Sequence, residues 1–272
     1  MNINAKTTIC GIIGYPVDYS LSPAMHNAAY ATLGLNFAYL AFPAKEIISA
    51  IRGIRALSIR GVSVTLPHKK DAIRFVDKAE TLARKIGAIN TIVNDNTKLT
   101  GYNTDCEGAV RAMEEVMPLY RKSAIVLGAG GAANAIVHGL AKKGMYVLII
   151  SRNEDEARVL AKRTKTGYGS VADLAEIRYT DFLINATSVG MKPLQEKSLV
   201  PATLLHKNLT VFDIVYAPKE TQLLKDAKTA GCKIIFGYKM LLYQAVRQFE
   251  LFTGKKAPLA VMEKALLKGL SN

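Results

Sequence analysis

The chain has 272 residues, half of them apolar, which is enough to bury a sizeable core in one large domain or two ordinary ones and excludes a disordered chain. Its formal charge of +14 comes from basic residues that are scattered, without a long basic block or interleaved aromatics. That pattern argues against nucleic acid as a partner and for a basic surface that attracts anionic small molecules. Cys10, Cys106 and Cys232 stand far apart with no Cys-x-x-Cys pair, which predicts a reducing compartment and no structural metal; with no secretory-type start and no apolar run of bilayer length, the expectation is a cytoplasmic protein that does not enter a membrane.

Thr8 to Gly14 reads as a strand broken by Gly14-Tyr15-Pro16. Ser22, Pro23 and Gly34 then read as the N-cap, first position and end of a helix. Ser20 and Ser22 thus present two hydroxyls at a strand-to-helix junction, where they suit capping and also the hydroxyls or carboxylate of a polar ligand. A strand follows at 36–42, a helix at 45–57 and a strand at 61–66, after which Pro67-His68-Lys69-Lys70 predicts a helix running toward Phe75. Lysines in a first helical turn are electrostatically misplaced, and Lys69 lies just past a strand end, where ligands gather in α/β sheets. The pattern continues with a helix at 79–87, a strand at 88–93, a hairpin turn at 94–97, a strand at 99–102 and a helix opened by Asn103-Thr104-Asp105. There Thr104-x-x-Glu107 reads as a capping box.

From Ser123 onward strands and helices alternate, which predicts a doubly wound parallel sheet. Strand 123–128 runs into Gly128-Ala129-Gly130-Gly131-Ala132-Ala133 and a helix. Gly128-x-Gly130-x-x-Ala133 in that setting is the dinucleotide fingerprint, with the free amides of the helix start facing a pyrophosphate. The next strand ends in Ser151-Arg152-Asn153. It has no carboxylate at its tip to grip a ribose, and the arginine suits a 2′-phosphate, so the expected cofactor is NADP(H). Two final helices, 239–252 and 258–270, are surplus to this sheet and are expected to return to the N-terminal part.

Together these segments resemble shikimate dehydrogenases over nearly the whole chain. The resemblance rests on Ser20-Leu-Ser22-Pro, Gly61-Val-Ser-Val-Thr65-Leu-Pro-His-Lys69, Gly87-Ala-Ile-Asn90-Thr, Tyr102-Asn-Thr-Asp105, Gly128-Ala-Gly-Gly-Ala132, Asn185-Ala-Thr-Ser-x-Gly-Met191 and Gly237-Tyr-Lys-Met-Leu-Leu-Tyr-Gln244, in that family's order. It implies a two-domain α/β protein: a substrate-binding and catalytic domain at 1–104 plus 241–272, and an NADP-binding Rossmann-type domain at 105–240. It also implies NADPH-dependent, reversible reduction of 3-dehydroshikimate to shikimate on the route to aromatic amino acids, by a monomer or homodimer. By similarity Ser20, Ser22, Thr65, Asn90, Asp105, Tyr216 and Gln244 hold the substrate, and Lys69 and Asp105 form the catalytic pair. Gly128, Ala129, Gly130, Gly131, Ala132, Ser151, Arg152, Asn153, Ile214, Gly237 and Met240 line the cofactor site. One departure is local: the family commonly carries a further basic residue after its arginine, whereas this chain reads Glu154-Asp155-Glu156, which weakens the expected selectivity against NAD. The alternatives are a quinate/shikimate dehydrogenase that accepts NAD and a non-catalytic NADPH-binding regulatory module.

Overall fold

The computed structural model describes residues 3–271. Its contacts divide the chain into two compact units, one reaching to Thr104 and resuming at Gln244, the other spanning Asp105–Tyr243.

The first unit opens with β1 (Thr8–Gly14), α1 (Ser22–Thr32), β2 (Phe37–Pro43), α2 (Ile47–Ala56) and β3 (Gly61–Val64). It continues through β4 (Lys78–Ala79), α3 (Thr81–Ile86), β5 (Thr91–Asp95), β6 (Lys98–Tyr102) and the start of α4 (Thr104–Glu114). The strands form one mixed sheet in the order β2-β1-β3-β5-β6-β4. β1 to β3 are parallel, while β5 runs antiparallel to β3 and to β6, so the start of β5 and the ends of β3 and β6 meet at one end of the sheet. The β5–β6 hairpin turns on Asn96 and Thr97, both at positive φ, as a tight primed turn demands. One sheet face is sealed by Ile47, Ile51 and Ile54, which recur at helical spacing along α2 and pack into a cluster with Val62, Val64 and Ile92.

The second unit continues α4 and holds β7 (Ser123–Leu127), α5 (Gly131–Lys142), β8 (Tyr146–Ile150), α6 (Glu154–Thr164), β9 (Gly167–Gly169), β10 (Phe182–Asn185), β11 (Thr210–Asp213), α7 (Gln222–Thr229), β12 (Lys233–Ile235) and most of the first half of α8 (Gly237–Thr253). All six strands are parallel, in the order β12-β11-β10-β7-β8-β9, which is the doubly wound arrangement whose order reverses between β7 and β10. Near-continuous apolar runs such as Phe182-Leu-Ile-Asn185 follow from burial of such strands on both faces. The rest of α8 and α9 (Leu259–Leu270) belong to the first unit, where α9 packs on α1 and Phe252 lies so close to Gly61 that a Cβ there would come within 2.2 Å of its ring.

Three local readings need correction. No α-helix follows Pro67: residues 66–71 form successive turns and only a short 3₁₀ turn closes at Ala72–Arg74, so no helix dipole acts on Lys69. The chain is held there by the buried His68, whose Nε2 is paired with the Ala44 carbonyl at 2.7 Å. Ser22 is not an N-cap, because Leu21 occupies that place in αR geometry and Ser22 lies inside α1, with its hydroxyl on the Tyr39 phenol. Thr104 likewise is the first helical residue of α4 rather than its cap. Asn153, by contrast, is the cap of α6, its side chain accepting from the Glu156 amide at 3.2 Å.

Candidate active site

In the first unit, the sheet end where β3 and β6 finish and β5 begins gathers most of the residues singled out for substrate. The loops after β1 and β3 touch: a Cβ on Gly14 would fall 2.3 Å from Thr65 Cγ2, and the Thr65 amide donates to the Ile13 carbonyl at 2.9 Å. Lys69, half-buried, is fixed through its backbone, its carbonyl accepting from the Ile89 amide at 2.9 Å, one residue before Asn90. Asn90 is buried and accepts from the Thr104 amide at 2.7 Å, while its Nδ2 donates to the Thr104 hydroxyl at 3.0 Å. Asp105 follows directly in the first turn of α4. Ser20 sits in the loop after β1, its Oγ accepting from the Ser22 amide at 3.3 Å.

Behind these residues runs a buried polar chain that no local sequence pattern announces. The Tyr39 hydroxyl meets Ser63 Oγ at 2.5 Å, Ser63 donates to Gln248 Oε1 at 2.7 Å, and Gln248 Nε2 donates to Thr91 Oγ1 at 3.0 Å. Through the Tyr39 phenol it reaches Ser22 at the start of α1, and through Gln248 the Asn90 carbonyl just before β5, at 3.3 Å. Gln244 is one helical turn before Gln248 on α8 and is buried.

The second unit gathers the residues singled out for a dinucleotide at the C-terminal ends of its parallel strands, where the strand order reverses. The glycines of the turn after β7 are there for two different reasons. Gly128 has φ +103°, and a Cβ on it would lie 3.0 Å from Thr187 Cγ2. Gly130 and Gly131 have no atom within 4 Å of where a Cβ would be, and Gly130 has an ordinary φ of −70°, so nothing in the protein forbids a side chain there. Space left open at the head of a helix with no acidic residue in its first turn fits an approaching pyrophosphate. Ala129 and Ala132 flank those glycines.

After β8, Ser151 Oγ accepts from the Asn153 amide at 3.2 Å and leaves Arg152 exposed at the strand tip, as a 2′-phosphate would require. The acidic run that follows is partly answered within α6, since Asp155 pairs with Arg158 at 2.6 Å. After β11, Ile214 and Tyr216 are half-buried, and the Ile214 and Val215 carbonyls approach the start of α8 so closely that a Cβ on Gly237 would lie 2.4–2.5 Å from them. Met240 is buried one turn further along the same helix. The residues present therefore fit NADP(H): Gly128 to Ala132 for the pyrophosphate, Ser151 to Asn153 for the adenosine end, and Ile214, Gly237 and Met240 beyond.

At the ends of β10 and β11, Asn185 and Asp213 form a network absent from the sequence reading. Asp213 is fully buried and accepts from Asn185 Nδ2 at 3.0 Å, the Val215 amide at 3.0 Å and Thr221 Oγ1 at 2.6 Å. Burial outweighs these three donors and pushes its carboxyl up to about 6. Among the described residues no cluster of His, Cys, Asp or Glu could hold a metal ion, and no helix is long and apolar enough to cross a membrane.

Three family models match successive parts of the chain: the shikimate dehydrogenase substrate binding domain over residues 12–92, shikimate/quinate 5-dehydrogenase over 110–225, and the shikimate 5′-dehydrogenase C-terminal domain over 237–267. The chain is 41% identical over 280 residues to the shikimate dehydrogenase (NADP(+)) of Methanothermobacter thermautotrophicus, covering 99% of each. A crystal structure of a shikimate dehydrogenase in complex with NADP+ superposes with a TM-score of 0.95 at 37% identity, covering 100% of this chain and 98% of the other. The Thermus thermophilus shikimate 5-dehydrogenase in complex with NADP(H) and shikimate gives 0.91 at 34% identity, covering 97% and 100%.

Proposed function

We infer from one premise, that this chain belongs to the shikimate dehydrogenase family, that it is an oxidoreductase reversibly reducing 3-dehydroshikimate to shikimate with NADPH, in the cytoplasm, on the route to chorismate and the aromatic amino acids. The observation that carries this reading is the match to a shikimate dehydrogenase (NADP(+)) along 99% of both lengths.

NADPH, when bound, supplies the hydride that reduces the carbonyl. The chain's task is to hold the substrate and manage the proton at the reacting oxygen. Lys69 offers up to three N–H donors to that oxygen and stabilises the charge developing on it; Asp105 orients the ammonium and accepts from the hydroxyl of shikimate in the reverse direction. Ser20, Ser22, Thr65, Asn90, Tyr216 and Gln244 fix the ring through its hydroxyls and carboxylate, so that proton and hydride arrive at one carbonyl group. The buried Tyr39–Ser63–Gln248–Thr91 chain, which reaches Ser22 through Tyr39 and the Asn90 carbonyl through Gln248, supports these two ligands before substrate arrives.

The test is a comparison of kcat/KM for shikimate and quinate, each with NADP and with NAD. Shikimate with NADP should exceed every other pairing. A preference for quinate or for NAD would reassign the chain to the quinate/shikimate branch, and NADPH binding without turnover would make it a non-catalytic module.

A further inference from the structure

Asp213 stands where three segments of the second unit converge, and its carboxylate accepts a hydrogen bond from one residue of each. Its Oδ1 accepts from the Val215 amide, fixing the turn that carries Ile214 and Tyr216. The same oxygen accepts from Asn185 Nδ2, and Asn185 in turn organises the loop after β10. Asn185 Oδ1 accepts from the Thr187 amide at 3.1 Å and the Thr187 hydroxyl at 2.7 Å, while Nδ2 also donates to the Val189 carbonyl at 3.0 Å. Thr187 is the residue that a Cβ on Gly128 would meet, so the network reaches the glycine turn as well. The other oxygen, Oδ2, takes the Thr221 hydroxyl at the head of α7.

A carboxylate with no water contact is a costly way to fill a core, and a neutral side chain of the same shape would relieve that cost if packing were its only task. The location supplies another task. With the adenosine end at Arg152 beyond β8 and the pyrophosphate at the head of α5 beyond β7, a bound dinucleotide would cross the point where the strand order reverses, and the ends of β10 and β11 would receive its nicotinamide half.

We propose that Asp213 is a positioning residue for the nicotinamide half of NADPH: through Val215 and Asn185 it sets the two loops that receive that half, and it does not touch the adenosine half. This rests on the NADPH-dependent reading given above and extends it to a residue assigned no role there.

The test compares binding of NADPH and of adenosine 2′,5′-bisphosphate, which lacks the nicotinamide half, to the wild type, Asp213→Asn and Thr221→Val, by titration calorimetry on purified protein. Asp213→Asn turns one acceptor into a donor and should weaken NADPH about tenfold, the loss of roughly one charge-assisted hydrogen bond, while leaving the bisphosphate within about twofold. Thr221→Val, which removes one donor and keeps the shape, should shift NADPH in the same direction by a smaller factor, and it carries the test should Asp213→Asn not fold. NADPH affinity unchanged in the folded variants, or equal weakening of both ligands, overturns the assignment. A wild type that binds neither ligand would instead overturn the functional reading, and the proposal with it.

Discussion

Asn90 and Thr104 hold each other from two sides, the asparagine side chain accepting from the threonine amide at 2.7 Å and donating to its hydroxyl at 3.0 Å, with both residues buried. Asp105 is the next residue, so this clasp sets where α4 begins and where the candidate acid–base residue leaves the sheet. Asn90→Ala should cost about 2–4 kcal/mol, because it strands the buried Thr104 amide and removes the bonds to the Thr91 and Thr104 hydroxyls, and it should also depress kcat/KM. Thr104→Val, which keeps the shape and the amide bond, should cost about 1 kcal/mol. Urea denaturation with parallel steady-state assays checks both; equal losses for the two variants would remove the clasp as the reason.

Lys69 and Asp105 should separate chemistry from cofactor binding. Lys69→Ala should lower kcat by about 10²–10⁴-fold, the usual range for a positioned acid or base, with the KM for shikimate changed far less. Asp105→Asn should also lower kcat. Neither should alter the affinity for NADPH by more than about twofold, since neither is among the proposed cofactor ligands, which gather at the strand ends of the all-parallel sheet and the start of α8. If Asp105→Asn lowered only the melting temperature, the carboxylate would be serving the α4 dipole alone.

The strands were legible because burial leaves a plain mark. Thr8–Gly14 and Phe182–Asn185 are read to the residue from apolar runs bounded by breakers. Ser22 misled because a cap is defined by backbone geometry, which Leu21 supplies, while the hydroxyl is drawn instead to Tyr39 on the neighbouring strand. The turns after Pro67 looked helical because His68 reads as polar, although it is buried against Ala44. Asp213 and Asn185 lie 28 residues apart, and Ser63 and Gln248 lie 185 apart. Pairings at such separations follow from strand order, which periodicity does not encode.

The glycine turn predicts two opposite failures within three residues. Gly130→Val meets open space at an ordinary φ, so the free protein should melt within about 0.5 kcal/mol of wild type, while NADPH affinity falls tenfold or more, since the new side chain occupies the pyrophosphate's approach. Gly128→Ala forces a side chain into φ +103° against Thr187 and should cost about 1–3 kcal/mol of stability before any ligand is added. Differential scanning fluorimetry with and without NADPH separates the two. A Gly130→Val protein that binds NADPH normally would move the cofactor away from this helix.

Acid stability should be governed by two buried groups of opposite sign. Burial holds Asp213 at about 6 instead of 3.8, so on acidification the native state takes its proton first and is favoured as the pH falls from 7 to 4. Burial holds His26 at about 3 instead of 6.5 among the rings of Tyr30, Tyr39, Phe249 and Phe252, so in the same window only the unfolded chain takes the proton and the native state is disfavoured. Each shift is two pH units or more, on the order of 3 kcal/mol over this range, so the two groups pull the stability of the wild type in opposite directions. Asp77, held low by Arg55, and Asp181, held low by its bonds from Ser123 and Lys122 in spite of burial, lose their contributions only below 3.8, outside the window. His26→Phe, which preserves the ring stack on Tyr39, should therefore gain stability relative to wild type as the pH drops from 7 to 4.5, and Asp213→Asn should lose it. Urea melts of the three proteins across that range decide the matter, and parallel curves would show that neither group titrates with folding.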